Sequence, residues 1–538
     1  MSRTRVRSLI SVAALACAVT MALPALAGAA ITVNTTADNA PSAFSCHGAP
    51  GDCSLRQAIS WAGETSDGTV VLPAGHYQLT LTGPEEDSGQ SGDLDTGSKV
   101  QINGAGARTT VIDARGLGER VFDVLENGSL GLSRLTVTGG EAIDSSGGGI
   151  QTYKATLSLN QVAVRGNIST KTGAGGGLFI KESKVSISES LVAENRNSGN
   201  GGGIYSDETQ LSLVNSTIAN NVVDTSLYPD HEGWGAYGGG LELYGGGLVM
   251  QNVTIAGNSV RDGNGGLAGY GAGLTIPQEP TDPIDPLDIV NTVVAGNTAT
   301  EVEKTGQCYE PIPSAGHNLE QQEPAGEPRC FETATDLIAD PHLGPLTDNG
   351  GETDTLALLT GSPAFNAADA AKCPATDQRG LPRPSLGGCD IGAFEVQPVP
   401  PPPPPPSAIT APTIKRKGKV VVKKAGKTFL VKPGFIVSCP LTDPTCTGTI
   451  KVRAPKLKIK SAGTSAAKKV LIGKANFSVL PGKSKKLSLK LNSKGAKMLR
   501  LAGKLRAQFE VNSLADTGPS ATSKATLKLK LPAKPRHK

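Results

Sequence analysis

The chain has 538 residues, 67 of them Gly and 37 Pro, with 9 Cys and only 4% aromatics; it is too long for one ordinary core, so it calls for several domains or a repeat array. No Gly-X-Y period runs through the glycines, which excludes collagen. The formal net charge of +4 is a cancellation, because residues 408–538 hold 31 Lys+Arg against three acids (net +28) while residues 1–407 carry a net of −24.

Residues 1–30 read as a secretion signal. Arg3, Arg5 and Arg7 lead an apolar stretch from Leu9 to Leu23, and Ala25, Ala27, Ala29 and Ala30 offer cleavage positions. No later stretch has the ~18 continuous apolar residues that span a bilayer. The expectation is a secreted, extracellular chain with no transmembrane span once the signal is removed. Cys17 leaves with that signal. The other eight fall into local pairs, Cys46/Cys53, Cys308/Cys330, Cys373/Cys389 and Cys439/Cys446. An even count in an exported chain reads as disulfides, although spacing alone leaves the connectivity open. A Cys/His zinc site competes weakly, since no C-x-x-C occurs and the His are scattered. No metal or cofactor is expected.

Residues 31–68 read as an N-terminal cap. Cys53–Ile59 spells CSLRQAI, and GTVVLPAGHYQLTLTG follows from Gly68. Ser54 and Gln57 fit a capping box for a short helix running to about Trp61. The segment resembles the bacterial family named for its C-S-L-R-E-A motif, with Gln57 in place of the usual Glu. The resemblance implies a helix that precedes the first coils of a right-handed parallel β-helix and plugs the open end of the stack.

Residues 69–300 repeat themselves. LGLSRLTVTGG from Leu130 returns as LSLNQVAVRGN from Leu157 and VSISESLVAEN from Val185. It returns again as LSLVNSTIANN from Leu211, LVMQNVTIAGN from Leu248 and LDIVNTVVAGN from Leu287. Glycine clusters at Gly147–Gly149, Gly175–Gly177, Gly201–Gly203, Gly238–Gly240 and Gly271/Gly273 punctuate the array. The short runs alternate with period two, so each buries one face and must stack on the next repeat. Such a period, with strands and no helical pattern, predicts a parallel β-helix. Asn167, Asn195, Asn221, Asn258 and Asn297 share one repeat position. They suit a left-handed corner, and stacked side chains can also hydrogen-bond along the axis as a ladder.

Catalysis on such a stack needs acids on adjacent coils. Glu189 aligns with Gln161, Asn215, Asn252 and Asn291, and Asp288 aligns with Ser158, Ser186, Ser212 and Val249, so neither has a carboxylate neighbour in its column. Loop acids Asp93, Asp95, Asp207, Asp230 and Asp262 remain able to converge. No residue is assigned as catalytic. The two longest repeat intervals hold extra loops, and the region gathers Tyr228, His231, Trp234, Tyr237, Tyr244 and Tyr270. These rings are the candidate ligand-binding set, because aromatic faces stack on sugars or anchor partners.

Residues 301–396 read as the C-terminal cap. DPHLGPLTDNGG from Asp340, GSPAFNAAD from Gly361, CPATDQRGLPRP from Cys373 and CDIGAFE from Cys389 resemble the end of the choice-of-anchor β-helix proteins of bacterial surfaces. By that resemblance Asp377, Arg379, Arg383, Asp390 and Glu395 are structural capping residues. No sortase signal or hydrophobic tail follows. Residues 397–411 form a proline-rich linker, with Pro400–Pro406 unbroken, and polyproline II spacing is expected there. Residues 412–538 read as a small basic β domain. LKLKL near Leu527 and LSLK near Leu487 alternate apolar with Lys, which suggests an immunoglobulin-like sandwich with a cationic outer face. SVLPGKSKKLSLKLNSKGAKMLR resembles C-terminal modules of exported actinobacterial proteins.

The fold expected is therefore all-β: a right-handed parallel β-helix, a proline-rich linker and an immunoglobulin-like sandwich. The function expected is that of a cell-surface-associated, adhesin-like or structural protein without catalysis. Cell-wall or surface glycans and anionic envelope polymers are the partners anticipated, and nucleic acid is not. A polysaccharide lyase or glycoside hydrolase acting through loops is the alternative.

Overall fold

The repeats' alternation reappears as burial. Leu130, Leu157, Val185, Leu211 and Leu248 all point into one core, each within 2% of full burial. The computed structural model describes residues 30–42, 45–64, 68–83, 86–171, 173–227, 236–261, 269–276, 285–299, 306–321, 329–398, 411–441, 445–455, 469–515 and 520–532. Residues 1–29, the proline run Pro400–Pro406 and Tyr228, His231 and Trp234 lie outside the described residues. The chain divides into two units, Met1–Pro398 and Val399–Lys538.

In the first unit, successive turns of chain lay strands side by side in long parallel sheets of 14, 10 and 6 strands among the described residues. Register follows the repeat. Leu130 pairs with Leu157, then Val185, Leu211, Leu248 and Leu287. The 14-stranded sheet is two rows of short strands, joined where Ile204–Val214 and Leu241–Gln251 run through both. This all-parallel arrangement is compatible with a parallel β-helix.

The corners are made by left-handed residues. Gln161, Glu189, Asn215, Asn252 and Asn291 turn the chain from the first sheet to the second, with φ between 46° and 57°. The next corner corrects the expectation for the asparagine column. Asn167, Asn195, Asn221, Asn258 and Asn297 do not adopt left-handed geometry; the residue before each does (Gly166, Glu194, Asn220, Gly257, Gly296). The asparagines thereby aim inward. Asn195 Nδ2 donates to Asn221 Oδ1 at 2.9 Å, Asn221 to Asn258 at 3.0 Å, and Asn258 to Asn297 at 2.9 Å. Asn167 joins at one end and Gln307 Oε1 closes the other.

Helix α1, Leu55–Glu64, covers the start of the core with Leu55, Ala58, Ile59 and Ala62. Ser54 N–H donates to Gln57 Oε1 at 2.9 Å and Gln57 N–H donates to Ser54 Oγ at 3.3 Å, a reciprocal cap. Arg56 is fully buried under it, ion-paired to Asp38 at 2.8 Å. Burial opposes ionisation of Asp38, but the Arg56 bond and the Leu81 and Thr80 amides outweigh it and lower its pKa. The stack begins before the expected boundary at 69, since Ile31–Thr32 already pairs with Val70–Val71.

The stack also continues past residue 300. Leu319–Glu320 and Leu337–Ile338 add to the second sheet, and Phe331 and the Cys308–Cys330 disulfide close its core. Residues 343–398 then run back along the outside of the second sheet as a strap. Ile391 and Ala364 pack on Val293 and Ala295, and Leu346 packs beside Ala163 and Leu191. Asp354 of the strap reaches Arg108 and Arg165, and Glu352 reaches Arg134. A cap covering only the end would not need these long-range pairs.

In the second unit, two three-stranded antiparallel sheets and one of four strands enclose Phe429, Val431, Phe435, Val452, Phe509 and Val511. Leu527 and Leu529 point in while Lys528 and Lys530 point out, as the alternation requires. Helix α2, Ser493–Ala502, starts at Asn492, whose side chain accepts from Gly495 N–H, and ends at Gly503 with φ 61°. Disulfides also join Cys46–Cys53, Cys373–Cys389 and Cys439–Cys446. Among the described residues no helix is long and apolar enough to cross a membrane.

Candidate functional site

Two columns of outward side chains run across the first sheet. The second residue after each glycine cluster forms the first column: Gln151, Phe179, Tyr205, Glu242 and Thr275, in register. Their inward neighbours Ile150, Leu178, Ile204, Leu241 and Leu274 are fully buried, which fixes the outward direction of the column. Two residues along, Tyr153, Lys181, Asp207 and Tyr244 form the second column.

The first column carries a ring ladder. Phe179 and Tyr205 stack with centroids 5.5 Å apart and planes within 5°. Beside it lies a second ring group. Tyr237 stacks on Tyr270 at 5.4 Å, and Tyr309 closes on both at 5.6 and 5.1 Å. Burial, with the charge of Glu242 nearby, raises the pKa of the Tyr205 hydroxyl; burial also raises that of Tyr237.

Glu242 sits between the two groups. Burial pushes its carboxyl up to about 8, so it is protonated at neutral pH. Its Oε2 has no hydrogen-bond partner among the described residues. Asp207, diagonal to it on the preceding coil, is ion-paired to Lys181 at 2.6 Å. Sheet geometry puts such diagonal neighbours ~7–8 Å apart.

The anticipated aromatic set thus divides. Tyr237 and Tyr270 meet ring to ring. Tyr244, 44% exposed, stands in the other column opposite Asp207. Phe179, Tyr205, Glu242 and Tyr309 belong to the same face and were not anticipated. The glycine clusters could have found the first three, since counting two residues on from each cluster spells the column.

The loop acids converge only in part. Asp93, Asp95 and Asp123 bring carboxylate oxygens within 4.8 Å of one another. Arg120 bridges Asp93 and Asp123 at 3.2 and 2.6 Å. Burial, then the charge of Asp93, pushes Asp95 up to about 8. Arg120 offsets one of the two remaining carboxylate charges, so with Asp95 protonated the cluster keeps a net charge of about −1. Asp230 and Asp262 lie outside the described residues.

The terminal acids and arginines bind one another. Arg383 meets Glu395 at 3.0 Å with both side chains fully buried, and also donates to the Asp390 and Gly392 carbonyls. Asp377 accepts from Arg379 and from the Leu381 and Glu395 amides. These contacts hold the strap in shape and leave little free for chemistry.

No family model matches the chain, and no curated protein sequence matches it. Among solved structures, the crystal structure of Bifidobacterium adolescentis GH3 beta-glucosidase aligns with 24% of this chain and 19% of its own length, at 19% identity and a TM-score of 0.13. A likeness that slight carries no argument about fold or activity.

Proposed function

We propose that this chain is an exported, cell-surface-associated protein built on a right-handed parallel β-helix of the CSLREA and choice-of-anchor type, with an immunoglobulin-like basic module at its C-terminus. It acts as a non-catalytic, adhesin-like module that holds surface glycans on its ring-lined face, and the basic module helps retain it at the envelope. The observation that carries the reading is the Phe179–Tyr205 stack beside the Tyr237–Tyr270–Tyr309 group. Flat rings on a rigid sheet stack on sugar faces at little entropic cost. The disulfides fit an oxidising compartment. The test is glycan binding by the full-length protein. Phe179→Ala with Tyr205→Ala should weaken it about tenfold, and undiminished binding would refute the reading.

A carbohydrate-active enzyme is the second reading, favoured by Glu242. A protonated buried acid diagonal to a carboxylate is the pairing that glycoside hydrolysis uses. Incubation with polyuronates and cell-wall glycans decides between the two. New reducing ends or unsaturated uronates, lost in Glu242→Gln, would establish the enzyme and overturn the non-catalytic reading.

A further inference from the structure

The basic unit has a polar face that its own core does not use. Strand Cys446–Pro455 lies between Lys469–Val479 and Lys504–Ala515, and the latter pairs with Ser520–Lys530. One side of this sheet buries Ile450, Val452, Phe509 and Val511. On the other side, register sets Asn476, Thr449, Asn512 and Thr522 in a row across the strands. Lys474, Lys451, Glu510 and Lys524 form the next row. A groove of about 770 Å³ lies here, and Thr447, Thr449, Lys474, Asn476, Asn512 and Thr522 all line it.

Glu510 is ion-paired to Lys524 at 3.3 Å. Lys451 and Lys474 stand directly opposite each other, with Glu510 on the far side of Lys451; among the described residues neither lysine is held in an ion pair, and three lysines against one carboxylate leave the row at +2. Like charges opposed across strands repel, and an anion between them would relieve the cost. The neighbouring row offers amide and hydroxyl groups at the strand spacing of ~4.8 Å, which suits a chain of repeating hydroxyls laid across the sheet. The surplus of 31 bases over three acids in residues 408–538 favours the same sign of ligand.

We infer that this groove binds a polyhydroxylated polyanion, a polymer with hydroxyls and a phosphate or carboxylate in each repeat. The inference rests on the proposed envelope retention and names its site and chemistry.

The experiment is calorimetric titration of the full-length protein with four probes. Oligo(glycerol phosphate) and oligogalacturonate carry hydroxyls with phosphate or carboxylate; linear polyphosphate carries charge alone; dextran carries hydroxyls alone. One of the first two should bind about tenfold tighter than polyphosphate or dextran, and which one does identifies the anion. Lys451→Gln with Lys474→Gln, and separately Thr449→Val with Asn476→Ala, should each weaken that binding about fivefold. Lys423→Gln with Lys424→Gln removes the same charge from another strand of the unit and should change it less than about twofold. Equal losses from the two lysine pairs, or equal affinity for polyphosphate, would overturn the groove. If wall retention needs residues 408–538 but the groove variants titrate unchanged, the retention reading survives and the groove does not.

Discussion

A Cβ placed on Gly177 would lie 2.7 Å from the Nδ2 of Asn195, so the glycine column and the asparagine column are one device. The pairing recurs between Gly149 and Asn167, Gly203 and Asn221, Gly240 and Asn258, and Gly273 and Asn297. The bare backbone at the glycine admits the amide, and the amide ties one coil to the next.

The ladder should therefore be expensive to break. Asn221 Oδ1 accepts from the Asn195 N–H and Nδ2, and its own Nδ2 donates to the Val192 carbonyl and Asn258 Oδ1. Asn221→Ala strands those buried groups, each at about 1–3 kcal/mol, for a total of about 3 kcal/mol or more. Gly177→Ala should cost a comparable amount by forcing Asn195 aside. Denaturant midpoints of both variants test this. A loss below about 1 kcal/mol would show that water or relaxation replaces the ladder.

The repeat and its columns were legible because period-two alternation and glycine spacing are written locally. Alternation along Leu241–Tyr244 requires Leu241 and Leu243 on one face and Tyr244 on the other, and the structure buries the two leucines and leaves Tyr244 exposed. The same alternation put Glu242 outward, yet it is buried, and local pattern does not report how neighbouring segments cover an outward position. The strap was equally hidden. Asp354 meets Arg108 across 246 positions of sequence. The asparagine corner was misassigned by one residue, because Gly, Glu or Asn before each ladder residue absorbs the left-handed turn and residue type alone did not show which of the two would.

Glu242 predicts a pH dependence. Its carboxyl is raised from 4.5 to about 8 by burial, so folding takes up a proton between those values. Its contribution to stability is full below about pH 4.5 and falls by up to about 1.4 kcal/mol per pH unit as pH rises toward 8. Glu242→Gln should match the parent most closely below about pH 4.5 and exceed it in stability at pH 9. Asp95, raised over a similar window, is untouched by the variant and contributes to the residual slope together with the raised Glu320, Asp390 and Glu395. A difference between variant and parent that stays constant across pH would mean that Glu242 ionises normally.

The Cys308–Cys330 disulfide links the end of the stack to the ring group, since Tyr309 follows Cys308 and packs on Tyr237 and Tyr270. Replacing both cysteines by Ser should lower stability by about 2–4 kcal/mol. It should also loosen the rings and weaken glycan binding at temperatures where the protein stays folded. Near-ultraviolet circular dichroism reads the tyrosines directly, and an unchanged tyrosine signal would uncouple the end closure from the site.

The strap offers a contrast between two arginines. Arg383 and Glu395 pair with both side chains at 0% exposure, whereas Arg165 pairs with Asp354 and Glu194 at 34% exposure. Removing Arg383 leaves a buried acid without its counter-charge, which costs about 3–5 kcal/mol. Removing Arg165 breaks bonds that water already screens, at about 1 kcal/mol or less. The pH response separates the mechanisms further. Burial already raises the Glu395 pKa against the opposing pull of the Asp390 amide and Arg383, so losing Arg383 raises it again. Arg383→Ala should then recover part of its lost stability as pH falls toward 5, where Glu395 sheds its charge, while Arg165→Ala should not. Unfolding midpoints of both variants at pH 5 and pH 8 measure this, and equal losses at both arginines would mean that the strap is held by its apolar contacts through Ile391 and Ala364 rather than by the buried pair.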